Sequence, residues 1–134
     1  MIQVGEVYKT DVRYSQEQVI AFSQVSGDAN PLHLDADYAA TTIFKKPIVH
    51  GFLTGSIFSK VFGMDFPGPG SVYLGQTMQF KRPMFVETDY EAVFTVISVD
   101  REKHSAVIET KISEKATGKV TLSGEAQILN TSAF

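Results

Sequence analysis

The segment from Val49 to Phe62 constrains this chain more than any other. Its apolar residues, among them Val49, Phe52, Leu53, Ile57, Phe58, Val61 and Phe62, fall on nearly every side of a helix, relieved only by small Gly55, Ser56 and Ser59. A helix that is apolar all round cannot face water and has to be enclosed by other elements. A bilayer is not the enclosure: the wider run "PIVHGFLTGSIFSKVFG" carries His50 and Lys60 and falls short of the ~20 apolar residues a crossing requires. The rest of the chain must therefore supply the wrapping.

Four downstream runs, "VYLGQTMQF", "YEAVFTVISV", "SAVIETKIS" and "VTLSGEAQIL", are rich in Val, Ile, Thr, Tyr and Phe and partly alternate, as strands do. Short polar connections at Arg101 to His104 and Ala116 to Lys119 predict successive hairpins, although neither is a tight two-residue turn. With the N-terminal "VGEVYKT" the count reaches about five antiparallel strands. The expected class is α+β, a curved antiparallel sheet around one long central helix. A chain of 134 residues is long enough to bury roughly two thirds of its unfolded surface as one domain, residues 1–134, and no repeat or linker divides it.

Composition closes several routes. A net charge of −3, with no concentrated basic run, argues against a nucleic-acid partner. The absence of cysteine removes disulfides, thiolate metal sites and a cysteine nucleophile. The N-terminus lacks a basic start followed by a sustained apolar stretch, so no secretion signal and no membrane partner are expected, and the cytoplasm is the expected location.

Ahead of the central helix lies "SGDANPLHLD", positions 26 to 35. Ser15 with Gln18 forms a capping box, and Val19, Phe22 and Val25 recur at helical spacing, which predicts a helix over Ser15 to Ser26, ended by Gly27. Pro31 pushes Asn30 toward extended geometry, so no helix is expected to run through the stretch, and Asp28 and His33 are expected on a shaped loop. A brief helical turn from Asp35 to Thr42, capped by Asp35, should follow. A turn needs only Gly, Asn and Pro, which leaves the acid and the imidazole unexplained. The residues alone leave two accounts open: a hydrogen-bonded turn with a partly buried histidine, or an acid/base pair meeting around one water.

Other motifs carry less. Asp28, Ala29 and Asn30 imitate the opening of a calcium loop, but His33 stands where that loop needs Gly and Ala39 where it needs Glu. His33 and His50 lack the paired spacing of helical metal ligands, so no metal is expected. The turn "GPG" at Gly68 to Gly70 makes a poor phosphate cradle, since Pro69 has no amide hydrogen. Lys45 with Lys46, and Lys81 with Arg82, read as solvated charge, or alternatively as partners for a ligand's phosphates. No Gly-x-Ser-x-Gly arrangement surrounds Ser56 or Ser59. "VHG" at Val49 to Gly51 opens the central helix, whose first amides have no internal acceptor and can meet an oxygen that gains negative charge. His50 itself reads as a hydrogen-bonded core residue, and His104 as surface.

"FSQVSGDANPLHLDADYA" resembles, position by position, the hydratase 2 motif of (R)-specific enoyl-CoA hydratases and related MaoC-like dehydratases, with Phe22, Val25, Ser26, Gly27, Asp28, Asn30, Pro31, Leu32, His33 and Ala39 all matching. The likeness continues through "ATTIFKKPIVHGFLTGSIFSKVFG", "GSVYLGQTMQFKRPMF" and "SGEAQI". It implies a hotdog fold, usually a homodimer whose sheets join side by side, with no cofactor. It implies that the substrate is a trans-2-enoyl-CoA thioester, hydrated reversibly to the (R)-3-hydroxyacyl-CoA. Asp28 and His33 then match the catalytic pair, with Gly51 chosen as the oxyanion donor. Asn30 would brace the loop or the water, while Ser59 and Phe62 match positions that line the acyl pocket. Bulky Phe62 there predicts short acyl chains.

Three alternatives accompany this reading. A hotdog thioesterase would share fold and ligand, but many place a carboxylate on or near the central helix, and Val49 to Met64 has none. A 3-hydroxyacyl-carrier-protein dehydratase would run the same reaction in reverse on another carrier. A noncatalytic acyl-thioester binding module would be favoured by loss of Asp28 or His33, and both are present.

Overall fold

A computed structural model describes all residues from Met1 to Phe134. The chain runs β1 (Val7–Val12), α1 (Gln16–Ser26), α2 (Pro31–Leu34), α3 (Ala36–Ala40), α4 (Gly51–Met64), β2 (Val72–Gln76), β3 (Gln79–Phe80), β4 (Tyr90–Asp100), β5 (Ser105–Glu114) and β6 (Val120–Leu129). The strands form one sheet in the order β1-β4-β5-β6-β2, with β3 also paired to β6 and every pairing antiparallel. Both predicted hairpin connections are present, between β4 and β5 and between β5 and β6.

The sheet has six strands rather than about five, because the run Val72–Phe80 breaks in the middle. At the break the Thr77 amide donates to the Glu125 carbonyl at 2.9 Å, and the Glu125 amide donates to Thr77 Oγ1 at 3.0 Å. The two backbones come so close there that a Cβ on Gly124 would collide with the Thr77 carbonyl. Register shifts with an extra residue on β2, β4 and β6 bend the sheet further, since an extra residue on one strand sharpens its twist.

Alternation on β4 and β5 decides which face meets the helix. Tyr90, Ala92, Phe94 and Val96 point inward from β4, and Ala106, Ile108, Thr110 and Ile112 from β5. Against them α4 lays Phe58, Val61 and Phe62, all essentially without solvent contact. Phe58 and Phe62 both meet the Phe94 ring edge-on, with centroids 5.7 and 5.3 Å apart. This arrangement lets aromatic edges face aromatic π clouds and adds to the burial that holds helix to sheet. The all-round apolar helix has thus found its wrapping.

The helices before α4 follow their local signals. Ser15 caps α1 through the expected box with Gln18, and Gly27 ends it at φ 80°, a left-handed geometry that favours glycine. Asn30 is extended at ψ 127° and α1 stops at Ser26, as expected of a residue before proline, but Pro31 also opens a one-turn helix, α2, so His33 lies on a helical turn and not on the expected loop. The missing amide hydrogen of Pro31 would have been an orphan at the first helical position anyway, and the Asn30 side chain accepts the next free amide, Leu32 N, at 3.0 Å. Asp35 caps α3 by accepting from Asp37 N and Tyr38 N at 2.9 and 3.1 Å. No helix is long and apolar enough to cross a membrane.

Candidate active site

The turn after α1 is built from side chains reaching back to nearby amides. Asp28 N donates to Ser26 Oγ at 3.1 Å, and Asn30 N donates to Asp28 Oδ1 at 3.2 Å. These short-range bonds leave the Asp28 side chain exposed. His33 sits one turn further on and is only 8% exposed. Its Nδ1 hydrogen goes to the Ile48 carbonyl at 2.8 Å, while Gln16 Nε2 donates to the His33 carbonyl at 3.0 Å. Because a carbonyl can only accept, Nδ1 carries the proton there, and Nε2 is left for chemistry.

Donor atoms of Asp28, His33 and His50 all lie within 4.8 Å of one another. A single water making two hydrogen bonds of about 2.8 Å can span such a gap. The structure therefore brings together the acid and the imidazole that the sequence separates by five positions. Could the trio hold a metal instead? Zinc needs lone pairs converging at about 2.0–2.1 Å. The His33 and His50 rings instead stack face to face, centroids 3.8 Å apart and planes inclined by 29°, so their in-plane lone pairs run side by side. The cluster suits protons better than a cation.

Directly after His50, α4 begins at Gly51, with His50 as its cap residue and no side chain capping the first amides. Uncapped amides at the positive end of a helix dipole attract a developing negative charge. Gly51 borders a cavity of about 560 Å³ whose walls include Ile48, Phe52, Thr54, Phe80 and Met84, with Lys81 and Arg82 also in its lining. A Cβ at position 51 would lie 2.7 Å from the Phe80 ring, so glycine lets that ring close over the helix start. Neither Asp28 nor His33 lines this cavity. A second hollow of about 340 Å³ runs along the same helix past Gly55 and Ser56, walled by Met78 and the β2 segment, and Phe52 borders both.

The remaining candidates fall in different places. Asn30 caps α2 with its side-chain oxygen. Ser59 is on the exposed face of α4, and Phe62, 1% exposed, packs edge-on against Tyr73 and Phe94 in the core. Neither borders the two hollows beside the helix. His104, expected at the surface, is half-buried and gives its Nδ1 hydrogen to the Phe134 carbonyl at 2.8 Å. Phe52, Met78 and Phe80 wall the hollows; the sequence offered Phe52 only as part of the apolar helix and gave Met78 and Phe80 no site role, since an aromatic or methionine reads as core. His50 is buried and hydrogen-bonded as expected; its contact with His33 had no signal in the spacing.

An antiparallel sheet closed around one helix, with a carboxylate and an imidazole gathered beside the helix start, defines a hotdog-fold protein of the hydratase type. The chain belongs to the family defined by the MaoC like domain, whose model matches residues 2–119. It is 41% identical over 127 residues to the (R)-specific enoyl-CoA hydratase of Aeromonas caviae, covering 95% of this chain and 94% of that one. With the 3-hydroxybutyryl-CoA dehydratase of Methylorubrum extorquens it shares 34% identity over 129 residues, 95% of this chain and 80% of the relative. The solved (R)-hydratase from A. caviae involved in PHA biosynthesis superposes with a TM-score of 0.92 at 40% identity, over 96% of this chain and 97% of that one.

Proposed function

We propose that this protein is an (R)-specific enoyl-CoA hydratase, adding water reversibly to a trans-2-enoyl-CoA to give the (R)-3-hydroxyacyl-CoA. The observation that carries the reading is the approach of Asp28 and His33 to within 4.8 Å beside the uncapped start of α4, in a chain 41% identical to such a hydratase. In this reading the Asp28 carboxylate takes a proton from the water that the two side chains share, and the hydroxide forms the new bond at Cβ. The displaced electron pair moves through Cα to the thioester oxygen, which the Gly51 amide receives. A donor of this kind contributes about 100- to 1,000-fold in rate.

His33 then delivers a proton to Cα from Nε2. Since the Ile48 carbonyl holds the other ring proton on Nδ1, that delivery requires the imidazolium form. The pair therefore enters the cycle sharing one dissociable proton, and returns to its starting state when Asp28 passes its new proton back to His33 through the next water. Positioned acid/base groups contribute about 100- to 10,000-fold. Asn30 holds the turn in shape by capping α2.

The two hollows along α4 supply room for the thioester, and Lys81 and Arg82 at the larger one suit the coenzyme's phosphates. Short acyl chains fit the reading best, in keeping with the name of the M. extorquens relative. As a partner we propose a second copy: β2 is an edge strand exposing Val72, Tyr73 and Leu74, and pairing with another copy would cover it. A cytoplasmic, single-domain enzyme without cofactor is the simplest form of this proposal.

Incubation with crotonyl-CoA tests the reaction. Hydration removes the conjugated enoyl-thioester absorbance, leaves the thioester intact and yields the (R) product. Release of free thiol would identify a thioesterase instead, and binding with no change in either signal a noncatalytic module. Crotonyl-carrier protein and longer enoyl-CoAs in parallel decide carrier and chain length.

A further inference from the structure

We infer that His50 is a positioning residue for this reaction, the one side chain that sets Asp28 in place relative to both His33 and the Gly51 amide; the inference rests on the hydratase reading above. The two members of the pair are anchored very differently. His33 is fixed from outside its own turn by Gln16 and Ile48, and the Leu32 carbonyl beside it accepts from Ile48 N at 3.2 Å. The segment Gly27–Asn30, by contrast, is hydrogen-bonded almost wholly to residues within four positions of itself. Its single tie to a distant part of the chain is His50 Nε2, which donates to the Asp28 carbonyl at 3.0 Å.

That same residue is 2% exposed and does three further things. Nε2 lies 3.1 Å from Ser23 Oγ, which links it to α1, and Phe22 meets it edge-on at 4.8 Å. Its face stacks on His33 at 3.8 Å and so limits how that imidazole can rotate. Its backbone carbonyl accepts from Thr54 N at 3.0 Å, the first bond of the helix that presents the Gly51 amide. One residue thus touches the base, the proton donor and the support of the oxyanion site.

The hydrogen-bond pattern also fixes the tautomer. The Asp28 carbonyl can only accept, so the neutral ring of His50 carries its proton on Nε2. Nδ1 is then left as a buried nitrogen with no partner, as observed. The unsatisfied nitrogen accompanies a donor aimed at the catalytic turn.

Two substitutions and one measurement on the unaltered protein test this. His50→Leu removes the donor and the stacking ring, whereas His50→Gln can place an amide hydrogen where Nε2–H stood. With crotonyl-CoA, His50→Leu should lower kcat about tenfold to a hundredfold while KM changes by less than about threefold, because a displaced base harms the chemical step more than binding. His50→Gln should recover a substantial part of the loss. Imidazole ¹⁵N shifts of the wild-type protein should report His50 as the Nε2–H tautomer. A wild-type chain that leaves crotonyl-CoA untouched overturns the hydratase reading itself. An active wild type overturns the role of His50 alone if His50→Leu keeps its kcat, if Gln is no better than Leu, or if His50 proves to be the Nδ1–H tautomer. The last outcome decides the matter even where a variant fails to fold.

Discussion

The two ends of α4 are chemically unlike. At its start the helix offers uncapped amides, a glycine under the Phe80 ring, a cavity and, through the side chain of its cap residue His50, a hydrogen bond to the turn that carries the exposed Asp28. Toward its end Phe58, Val61 and Phe62 are sealed against the sheet, and the chain leaves through a turn in which Asp65 N and Phe66 N both donate to the Val61 carbonyl. One helix therefore borders two hollows along its first half and belongs to the core of the fold along the other. The contrast teaches that activity and stability should separate along it, with substitutions at the first end affecting turnover and those at the second affecting folding.

The sharpest way to break this contrast is Asp28→Asn. It should cut kcat by about 100- to 10,000-fold while leaving the thermal midpoint close to wild type, because the side chain is exposed and its amide analogue can still accept from Asn30 N. A drop in the midpoint comparable to that of a core variant would show that the turn is structural after all. At the other end, Phe58→Ala should destabilise by about 3–5 kcal/mol, read by denaturant unfolding, since it removes a fully buried ring packed on Phe94. The surviving folded fraction should keep most of its specific activity.

Tyr14 ties the core to the first half of α4, because its hydroxyl donates to the Leu53 and Thr54 carbonyls at 3.2 Å each. Burial disfavours its phenolate and pushes its pKa up to about 12, against an ordinary 10. A group whose pKa is higher folded than unfolded gives stability that is whole below the unfolded value and is lost as pH climbs through the folded one. Stability should therefore fall between about pH 10 and 12, and Tyr14→Phe should flatten that part of the unfolding profile. A smaller effect is expected from Asn30→Ala, which removes the cap of α2 and should cost about 1 kcal/mol, with a loss of kcat as the turn loosens. Smallest of all, Lys60→Met breaks a surface pair with Asp65 and should leave the unfolding midpoint close to wild type, with no effect on turnover.

Much of this could be read before any coordinates. The capping box at Ser15, the stop at Gly27 and the cap at Asp35 are signals carried by neighbours in the chain, and they form as read because the interactions that decide them span only a few residues. The apolar girdle of α4 demanded a wrapping sheet, and the alternation of β4 and β5 met that demand. Pro31 shows the limit of such reading: the same residue that discourages a helix before it can open one after it, and the Asn30 side chain settled the choice. The break at Thr77 depended on how closely Gly124 lets another strand approach, a fact about a partner far along the chain.

For the site, the sequence determined which side chains are available and, through turn chemistry, that Asp28 and His33 belong to one short polar segment. Tertiary structure decided everything that depends on distant residues meeting. Only folding brings Ile48 to His33 Nδ1, sets the His50 ring between α1 and the turn, and turns Phe62 into the aromatic core while Phe52, Met78 and Phe80 wall the hollows. The physical reason is range: caps and turns are decided by bonds between near neighbours, whereas a histidine's tautomer or an aromatic's placement is decided by whichever carbonyl or ring the completed fold presents to it.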